Sequence, residues 1–129
     1  MSVKCILFVD DEPQILQSIK RLFANQGYEV LTCVSPSEAL ELLKNKPVKV
    51  IVSDYRMPAM NGAEFLKKAR VIRPEAVRLV LSGYTDAQGV TELIEKGEIY
   101  KFLMKPWDND EIKTAIREAF AYQARLATF

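Results

Sequence analysis

Side chains suited to handling a phosphoryl group and a divalent cation stand at several separate places in this chain. Three adjacent carboxylates, Asp10, Asp11 and Glu12, follow one short apolar segment, and Asp54 follows another. Adjacent carboxylates repel one another unless a cation neutralises them. Mg²⁺ is the natural cation, because it prefers oxygen ligands and the chain has no histidine to attract a softer metal. A carboxylate beside such a cation can attack a phosphoryl group and hold it as an acyl phosphate.

A hydroxyl and an ammonium complete this set, because Ser82 ends a third apolar segment and Lys105 follows a fourth. Positive charge from lysine and metal would offset the charge on a transferring phosphoryl group. Taken singly, the residues have simpler interpretations: Ser82 and the acidic run as helix caps, Asp54 as a turn residue and Lys105 as a solvated loop lysine. No glycine-rich phosphate loop of either common type is present in the sequence. We therefore expect the phosphoryl group to come from another molecule rather than from a bound nucleotide.

The apolar segments next to these residues are predicted to be strands. Several are mostly apolar rather than alternating, which is typical of strands covered on both faces. Longer stretches with apolar residues at helical spacing lie between them. This alternation predicts an α/β fold with a parallel sheet, whose carboxyl strand ends meet at one edge. The predicted strands are Cys5–Val9, Glu29–Val34, Val48–Ser53, Val77–Ser82 and Ile99–Met104.

The five predicted helices have boundary signals of different strength. Ser35 is followed by a proline and then by Glu38, and Asp108 is followed three residues later by a glutamate, so both begin helices. Gly27 stands where the first helix is predicted to end. The fourth helix, Asp86–Lys96, has the weakest pattern, because Gly89 interrupts it.

Length, charge and cysteine content restrict the class of protein. The chain has 129 residues, 49% of them hydrophobic, which is enough for one domain with a sizeable core. A formal net charge of +1 gives no electrostatic reason to expect direct binding of nucleic acid or a membrane surface. No apolar run approaches the roughly 20 residues that span a bilayer. Cys5 and Cys33 are predicted to be small buried hydrophobes, and the chain is predicted to be a reduced, cytoplasmic domain.

The residues at the predicted strand ends also form motifs in a recognisable order. Together these motifs resemble the receiver domains of bacterial two-component response regulators, the CheY-like family, over about Lys4 to Tyr122. The resemblance implies a flavodoxin-like (βα)5 fold, a doubly wound parallel sheet with strand order 2-1-3-4-5. The motifs are Val9-Asp10-Asp11-Glu12, Ser53-Asp54-Tyr55-Arg56-Met57-Pro58 with Gly62, Leu81-Ser82-Gly83 and Lys105-Pro106.

The resemblance assigns a role to each acidic residue of the site. Asp54 matches the phosphoacceptor of the family. Asp11, Asp54 and the main-chain carbonyl of Arg56 match the ligands of Mg²⁺, while Asp10 is expected to act mainly through water. Phosphoryl transfer to Asp54 is therefore expected to depend on Mg²⁺.

Further roles follow for the hydroxyl, the ammonium and one aromatic residue. Lys105 matches the lysine that pairs with the phosphoryl group, and its bond to Pro106 matches a peptide bond that is commonly cis. Ser82 matches the Ser/Thr that hydrogen-bonds to the phosphoryl group. Ser82 and Phe102 match the switch pair that changes the face made by the fourth helix, fifth strand and fifth helix. Phe102 departs from the commonest residue there, tyrosine, so switching through a hydroxyl bond is not expected.

Two large side chains are predicted to set how long the phosphoryl group lasts. By family geometry, Arg56 and Tyr84 flank the path of the water that would attack phosphorus. Neither is a carboxylate or an amide suited to orient that water. We expect them to exclude water and to make self-dephosphorylation slow.

The resemblance also implies partners and domain limits. A sensor histidine kinase or phosphotransfer protein would donate the phosphoryl group, and a downstream protein or a C-terminal output domain would respond, with homodimer formation as a further expectation. Residues 1–122 are predicted to form the receiver domain and 123–129 a helix extension or connector. Such a domain is a signalling switch, and the only catalysis expected of it is its own phosphorylation and dephosphorylation.

Two other functions use a similar fold. A phosphohydrolase with an aspartyl-phosphate intermediate would usually carry a second aspartate two residues after the nucleophile, where this chain has Arg56. A flavodoxin-like cofactor binder would need a phosphate-binding loop after the first strand. The acidic residues Asp10, Asp11 and Glu12 occupy that loop and would repel a phosphate.

Overall fold

A five-stranded parallel sheet organises the chain, and its order is β2-β1-β3-β4-β5. The computed structural model describes residues 3–83 and 86–126. The change of direction in strand order after β1 is that of a doubly wound sheet, so the predicted flavodoxin-like (βα)5 fold is confirmed. The strands are β1 (Cys5–Val9), β2 (Glu29–Cys33), β3 (Val50–Asp54), β4 (Val77–Ser82) and β5 (Lys101–Met104).

Five helices alternate with the strands, as the sequence pattern predicts. The predicted caps of two of them form: Ser35 Oγ accepts from the Glu38 amide at 3.4 Å, and Asp108 Oδ1 accepts from the Glu111 amide at 3.2 Å. Within the described residues, no helix is long and apolar enough to cross a membrane. The helices are α1 (Pro13–Phe23), α2 (Pro36–Asn45), α3 (Gly62–Ile72), α4 (Ala87–Glu95) and α5 (Asn109–Leu126).

The helices cover both faces of the sheet and divide the core into two clusters. Side chains alternate across each strand, so Ile51 faces one cluster and its neighbours Val50 and Val52 face the other. Helices α1 and α5 pack on the face of Val52, and α2, α3 and α4 pack on the face of Ile51. Burial of one such aliphatic side chain stabilises the fold by about 1.5–3 kcal/mol.

Two glycines in the predicted helices have roles that the pattern does not reveal. Helix α1 ends at Phe23, four residues before Gly27, because Ala24 already has an extended ψ of 137° and Asn25 follows with a positive φ of 63°. Gly27, with a φ of 85°, lies in the turn before β2, so its prediction as the helix end is wrong. In α4, Gly89 faces the Tyr55 side chain, and a Cβ at position 89 would collide with the Tyr55 hydroxyl. Gly89 therefore leaves room for the Tyr55 side chain and does not interrupt the helix, which runs through it.

Candidate functional site

The register of the sheet places the two buried aspartates side by side. Phe8 of β1 pairs with Val52 of β3, and their side chains point to the same face. Asp10 and Asp54 each stand two residues further along, so they continue the same row at the carboxyl edge. Both are buried, with exposed fractions of 1% for Asp10 and 7% for Asp54.

Lys105 joins these two carboxylates. Its Nζ lies 3.0 Å from Asp10 Oδ2 and 3.2 Å from Asp54 Oδ1. The backbone of Lys105 is fixed to β4, because its main-chain amide donates to the Ser82 carbonyl at 2.9 Å. The peptide bond between Lys105 and Pro106 is cis. The structure thus brings together three residues that are about fifty residues apart in sequence at each step.

Burial and charge shift the proton affinities in this group. Burial, followed by the charge of Asp10, raises the pKa of Asp54, and Lys105 only partly opposes this shift. Burial opposes the charge on Lys105, but hydrogen bonds and attraction from Asp10 and Asp54 outweigh it and raise the pKa of Lys105. The lysine therefore keeps its positive charge. The single positive charge of Lys105 does not balance the two negative charges of Asp10 and Asp54.

A cluster of carboxylate oxygens adjoins this pair. Ligand oxygens of Asp10, Asp11 and Glu12 all lie within 4.8 Å of one another, and Asp10 Oδ1 accepts the Glu12 amide at 2.9 Å. A cavity of about 440 Å³, lined in part by Asp11 and Arg56, opens beside them. The donor set is entirely oxygen, which fits a hard cation such as Mg²⁺. Glu12 lies in this cluster although the resemblance gave it no ligand role.

Ser82 presents a hydroxyl that lacks a partner within the chain. Among the described residues, its Oγ is the one buried side-chain polar atom without a hydrogen bond. An unsatisfied buried hydroxyl costs about 1–3 kcal/mol. The Ser82 hydroxyl is therefore available for a hydrogen bond to a group outside the chain.

The turn after Asp54 is fixed by a close approach of backbone segments. The Gly62 amide donates to the Tyr55 carbonyl at 2.7 Å. A Cβ at position 62 would lie 2.5 Å from the Asp54 carbonyl oxygen. Only glycine fits there without moving the backbone that carries Asp54.

Asp86 is a residue of the site that the sequence interpretation missed. Its Oδ1 accepts from Arg56 Nε at 2.5 Å, and its Oδ2 accepts from the Gly83 amide at 3.1 Å. From the sequence, Asp86 is predicted only as the first residue of the fourth helix. Pairing with a residue 30 positions away has no local signal.

The remaining predicted residues are placed as follows. Phe102 is half-buried and packs against the core cluster on the side of α2, α3 and α4. Phe102 of β5 pairs with Val80 of β4, and Val80 stands two residues before Ser82 on that strand. Tyr84 lies outside the described residues, so its predicted role stays a prediction.

Comparison with known proteins identifies the class. The family model for the response regulator receiver domain matches residues 6–117. The chain belongs to this family, whose members act as phosphoacceptor switches in two-component signalling. This confirms the resemblance found in the motifs.

Three similar proteins illustrate the range of the family. The hydrogenase transcriptional regulatory protein HoxA of Cupriavidus necator is 40% identical over 118 residues, covering 92% of this chain and 24% of that protein. Sporulation initiation phosphotransferase F of Bacillus subtilis is 28% identical, covering 88% of this chain and 90% of that protein. The crystal structure of adenylate cyclase from Rhodopirellula baltica gives a TM-score of 0.94 at 37% identity, covering 98% of this chain and 94% of that chain. This chain spans about a quarter of the length of HoxA and several other curated relatives.

Proposed function

We propose that Asp54 accepts a phosphoryl group from a sensor histidine kinase or a phosphotransfer protein, with the help of Mg²⁺. The observation that carries this proposal is the Lys105 ammonium, 3.2 Å from Asp54 Oδ1 and 3.0 Å from Asp10 Oδ2, at the carboxyl edge of the sheet. Family membership supports the same reaction class.

The residues of the site divide the work of the transfer. The Asp54 carboxylate attacks phosphorus, and an acyl phosphate bond forms as the bond to the donor breaks. Lys105 pairs with a phosphoryl oxygen, and the partnerless Ser82 hydroxyl donates to another. Both contacts stabilise charge that develops during transfer.

A magnesium site fits the acidic cluster. Asp11, Asp54 and the main-chain carbonyl of Arg56 would hold the ion, with Asp10 acting through water. When bound, Mg²⁺ would supply the positive charge that the carboxylates and the phosphoryl oxygens lack. Lys105 alone cannot supply it, since it already serves two carboxylates.

The response to phosphorylation is proposed to pass through Ser82 to Phe102. Ser82 moves toward the phosphoryl group, and the half-buried Phe102 ring turns into the space that this vacates. Val80, which pairs with Phe102, connects the two along β4. The change biases a two-state packing of the face made by α4, β5 and α5.

The wider partners follow from the family and from the length of its members. Residues 1–122 are proposed as the receiver unit and 123–129 as an extension or connector to an output module, as in relatives about four times longer. A downstream protein and phosphorylation-dependent dimers are alternative outputs. A cytoplasmic location agrees with the buried thiols of Cys5 and Cys33, which suit a reducing compartment.

The domain is proposed to catalyse only its own phosphorylation and dephosphorylation. A phosphohydrolase of the aspartyl-phosphate class would usually have a general acid two residues after Asp54. Arg56 occupies that position and is paired with Asp86.

The direct test is incubation with acetyl phosphate and Mg²⁺, followed by mass spectrometry. One phosphoryl group should be added, and peptide mapping should locate it on Asp54. The Asp54→Asn variant and a sample with EDTA serve as controls, and both should remain unmodified. Equal labelling in either control would contradict the proposal.

A further inference from the structure

The ion pair between Arg56 and Asp86 connects two loops at the carboxyl edge of the sheet. Arg56 stands two residues after Asp54, and Asp86 stands at the start of α4. The other Asp86 oxygen accepts from the amide of Gly83, the residue that follows Ser82. One carboxylate therefore joins the segment after Asp54 to the segment after Ser82.

The two partners differ greatly in their exposure to solvent. The Asp86 side chain is 2% exposed, whereas the Arg56 side chain is 70% exposed. A buried carboxylate is strongly destabilising without a counter-charge, so Asp86 depends on the guanidinium. The exposed Arg56 side chain has space to turn toward another anion. Arg56 can therefore leave Asp86 for another anion, whereas the loss of Arg56 destabilises the buried Asp86 carboxylate.

A second contact joins the same loop to the same helix. Tyr55, the residue before Arg56, packs against Gly89, one turn after Asp86. Adjacent residues of the loop after Asp54 therefore reach α4 at two points. A change at this loop reaches α4 directly, by a route separate from Ser82 and Phe102.

A phosphoryl group on Asp54 would compete for the guanidinium. It carries about −1.5 to −2 charges at neutral pH, against −1 for a carboxylate. Guanidinium also matches the geometry of phosphoryl oxygens by donating two parallel hydrogen bonds.

We infer that Asp86 is a positioning residue that holds the Arg56 guanidinium at the start of α4 until a phosphoryl group on Asp54 draws it away. The inference rests on the proposed phosphorylation of Asp54. Loss of the pair leaves the buried Asp86 carboxylate without its counter-charge, so the first turn of α4 responds to the state of Asp54.

The first test measures how the two residues depend on each other. Asp86→Asn keeps an oxygen for the Gly83 amide but removes the charge that holds Arg56. With acetyl phosphate and Mg²⁺, this variant should be phosphorylated severalfold faster than wild type, because its Arg56 is available to the incoming anion. In an Arg56→Gln background the same change should have no effect on the rate. An equal acceleration in both backgrounds, or none in either, would overturn the inference.

The second test follows the pair by NMR in the full chain. On phosphorylation, the Arg56 Nε–H signal and the amides of Asp86 and Val90 should shift. In unphosphorylated Asp86→Asn, the Arg56 Nε–H signal should already lie away from its wild-type position. Lys44→Gln, which breaks the exposed Glu41–Lys44 pair on α2, is the matched control and should leave these signals unchanged.

The outcomes separate this inference from the proposed function. An Arg56 Nε–H signal that stays in place in protein shown by mass to be phosphorylated would overturn the exchange while leaving the phosphoacceptor role intact. Wild-type protein that gains no phosphoryl group would contradict the proposed function and the competition together. In that case, an Arg56 signal that is the same in wild type and Asp86→Asn would show that the pair itself does not form in solution.

Discussion

The two ends of the sheet differ in what they bury. Toward the amino end and the middle, the strands bury apolar side chains such as Ile6, Val50 and Leu79. At the carboxyl end, polar groups are buried next to one another, although burial of a polar group lowers stability unless it is paired. Of the buried polar and charged side chains in the described residues, all but Gln123 lie at or beside that end: Asp10, Ser53, Asp54, Ser82 and Asp86.

This difference assigns stability and function to opposite ends of the same strands. The apolar end is consistent with local propensity and packing, as a stable core requires. The polar end concentrates like charges, which Lys105 neutralises in part, and a buried hydroxyl without a partner in the chain. Changes at the two ends should therefore affect folding and phosphorylation separately.

The largest effect on stability is expected in the middle of the sheet. Ile6 is fully buried, so Ile6→Ala should lower the free energy of unfolding by about 2–5 kcal/mol through lost burial and a cavity. Urea unfolding followed by circular dichroism measures this loss. The control is Val71→Ala, at an 83% exposed position on α3, which should change stability by less than about 0.5 kcal/mol. Equal effects at both positions would contradict the description of the core.

A smaller effect, dependent on pH, is expected at the first residue of β1. Burial, followed by the charge of Glu29, raises the pKa of Cys5 from 9.0 to about 11. Between these values the unfolded chain releases the thiol proton and the folded chain retains it. This contribution is complete below pH 9 and falls by about 2 kcal/mol as the pH rises to 11.

Urea unfolding at intervals from pH 8 to pH 11 tests the role of Cys5. Cys5→Ala should lose stability less steeply over this range, while lysine deprotonation affects both proteins alike. Parallel curves for the two proteins would show that the thiol is not the titrating group.

At the carboxyl end, removal of a polar group should have the opposite sign. Ser82→Ala deletes a hydroxyl without a partner, so the unphosphorylated protein should gain up to about 1 kcal/mol. The same substitution should weaken the response to phosphorylation. The changes in amide chemical shift between Leu93 and Lys105 on phosphorylation should be much smaller than in wild type. Ser82→Thr keeps a hydroxyl and is the control for both measurements. Loss of stability in Ser82→Ala, or undiminished shifts, would show that the hydroxyl is satisfied by another route.

An effect of similar size is expected where α4 meets the loop after Asp54. Glycine to alanine in a helix usually adds about 1 kcal/mol of stability, but the new methyl group of Gly89→Ala would meet the Tyr55 hydroxyl. The substitution should therefore fail to stabilise wild type. It should be more favourable by about 0.5–1 kcal/mol in a Tyr55→Phe background, where that oxygen is absent. Thermal unfolding of the four proteins gives this coupling, and simple additivity would contradict the contact.

The extent to which sequence predicted this molecule follows the same division. Strand order, the parallel sheet and the helix starts at Ser35 and Asp108 depend on local patterns and family motifs, and these predictions are confirmed. The Arg56–Asp86 ion pair and the packing of Tyr55 against Gly89 are tertiary contacts between segments about thirty residues apart in sequence. Local patterns do not reveal such contacts, so the sequence predicted Asp86 only as the first residue of a helix and Gly89 as an interruption of it.

The smallest expected effect concerns how long the phosphoryl group lasts. If Arg56 moves onto the phosphoryl group, its side chain covers the path of the attacking water, so Arg56→Asn should shorten the phosphorylated lifetime roughly threefold, or about 0.6 kcal/mol in the barrier. Tyr84→Glu should act in the same direction.

Arg56→Lys keeps the charge but not the planar guanidinium, so an intermediate lifetime is expected if coverage matters more than charge. Asp86→Asn should lengthen the lifetime, because Arg56 is then released from its buried partner. The measurement is the decay of phosphorylated protein by mass spectrometry after removal of acetyl phosphate. A lifetime that is unchanged or longer in Arg56→Asn would mean that Arg56 stays with Asp86 or promotes hydrolysis through its charge.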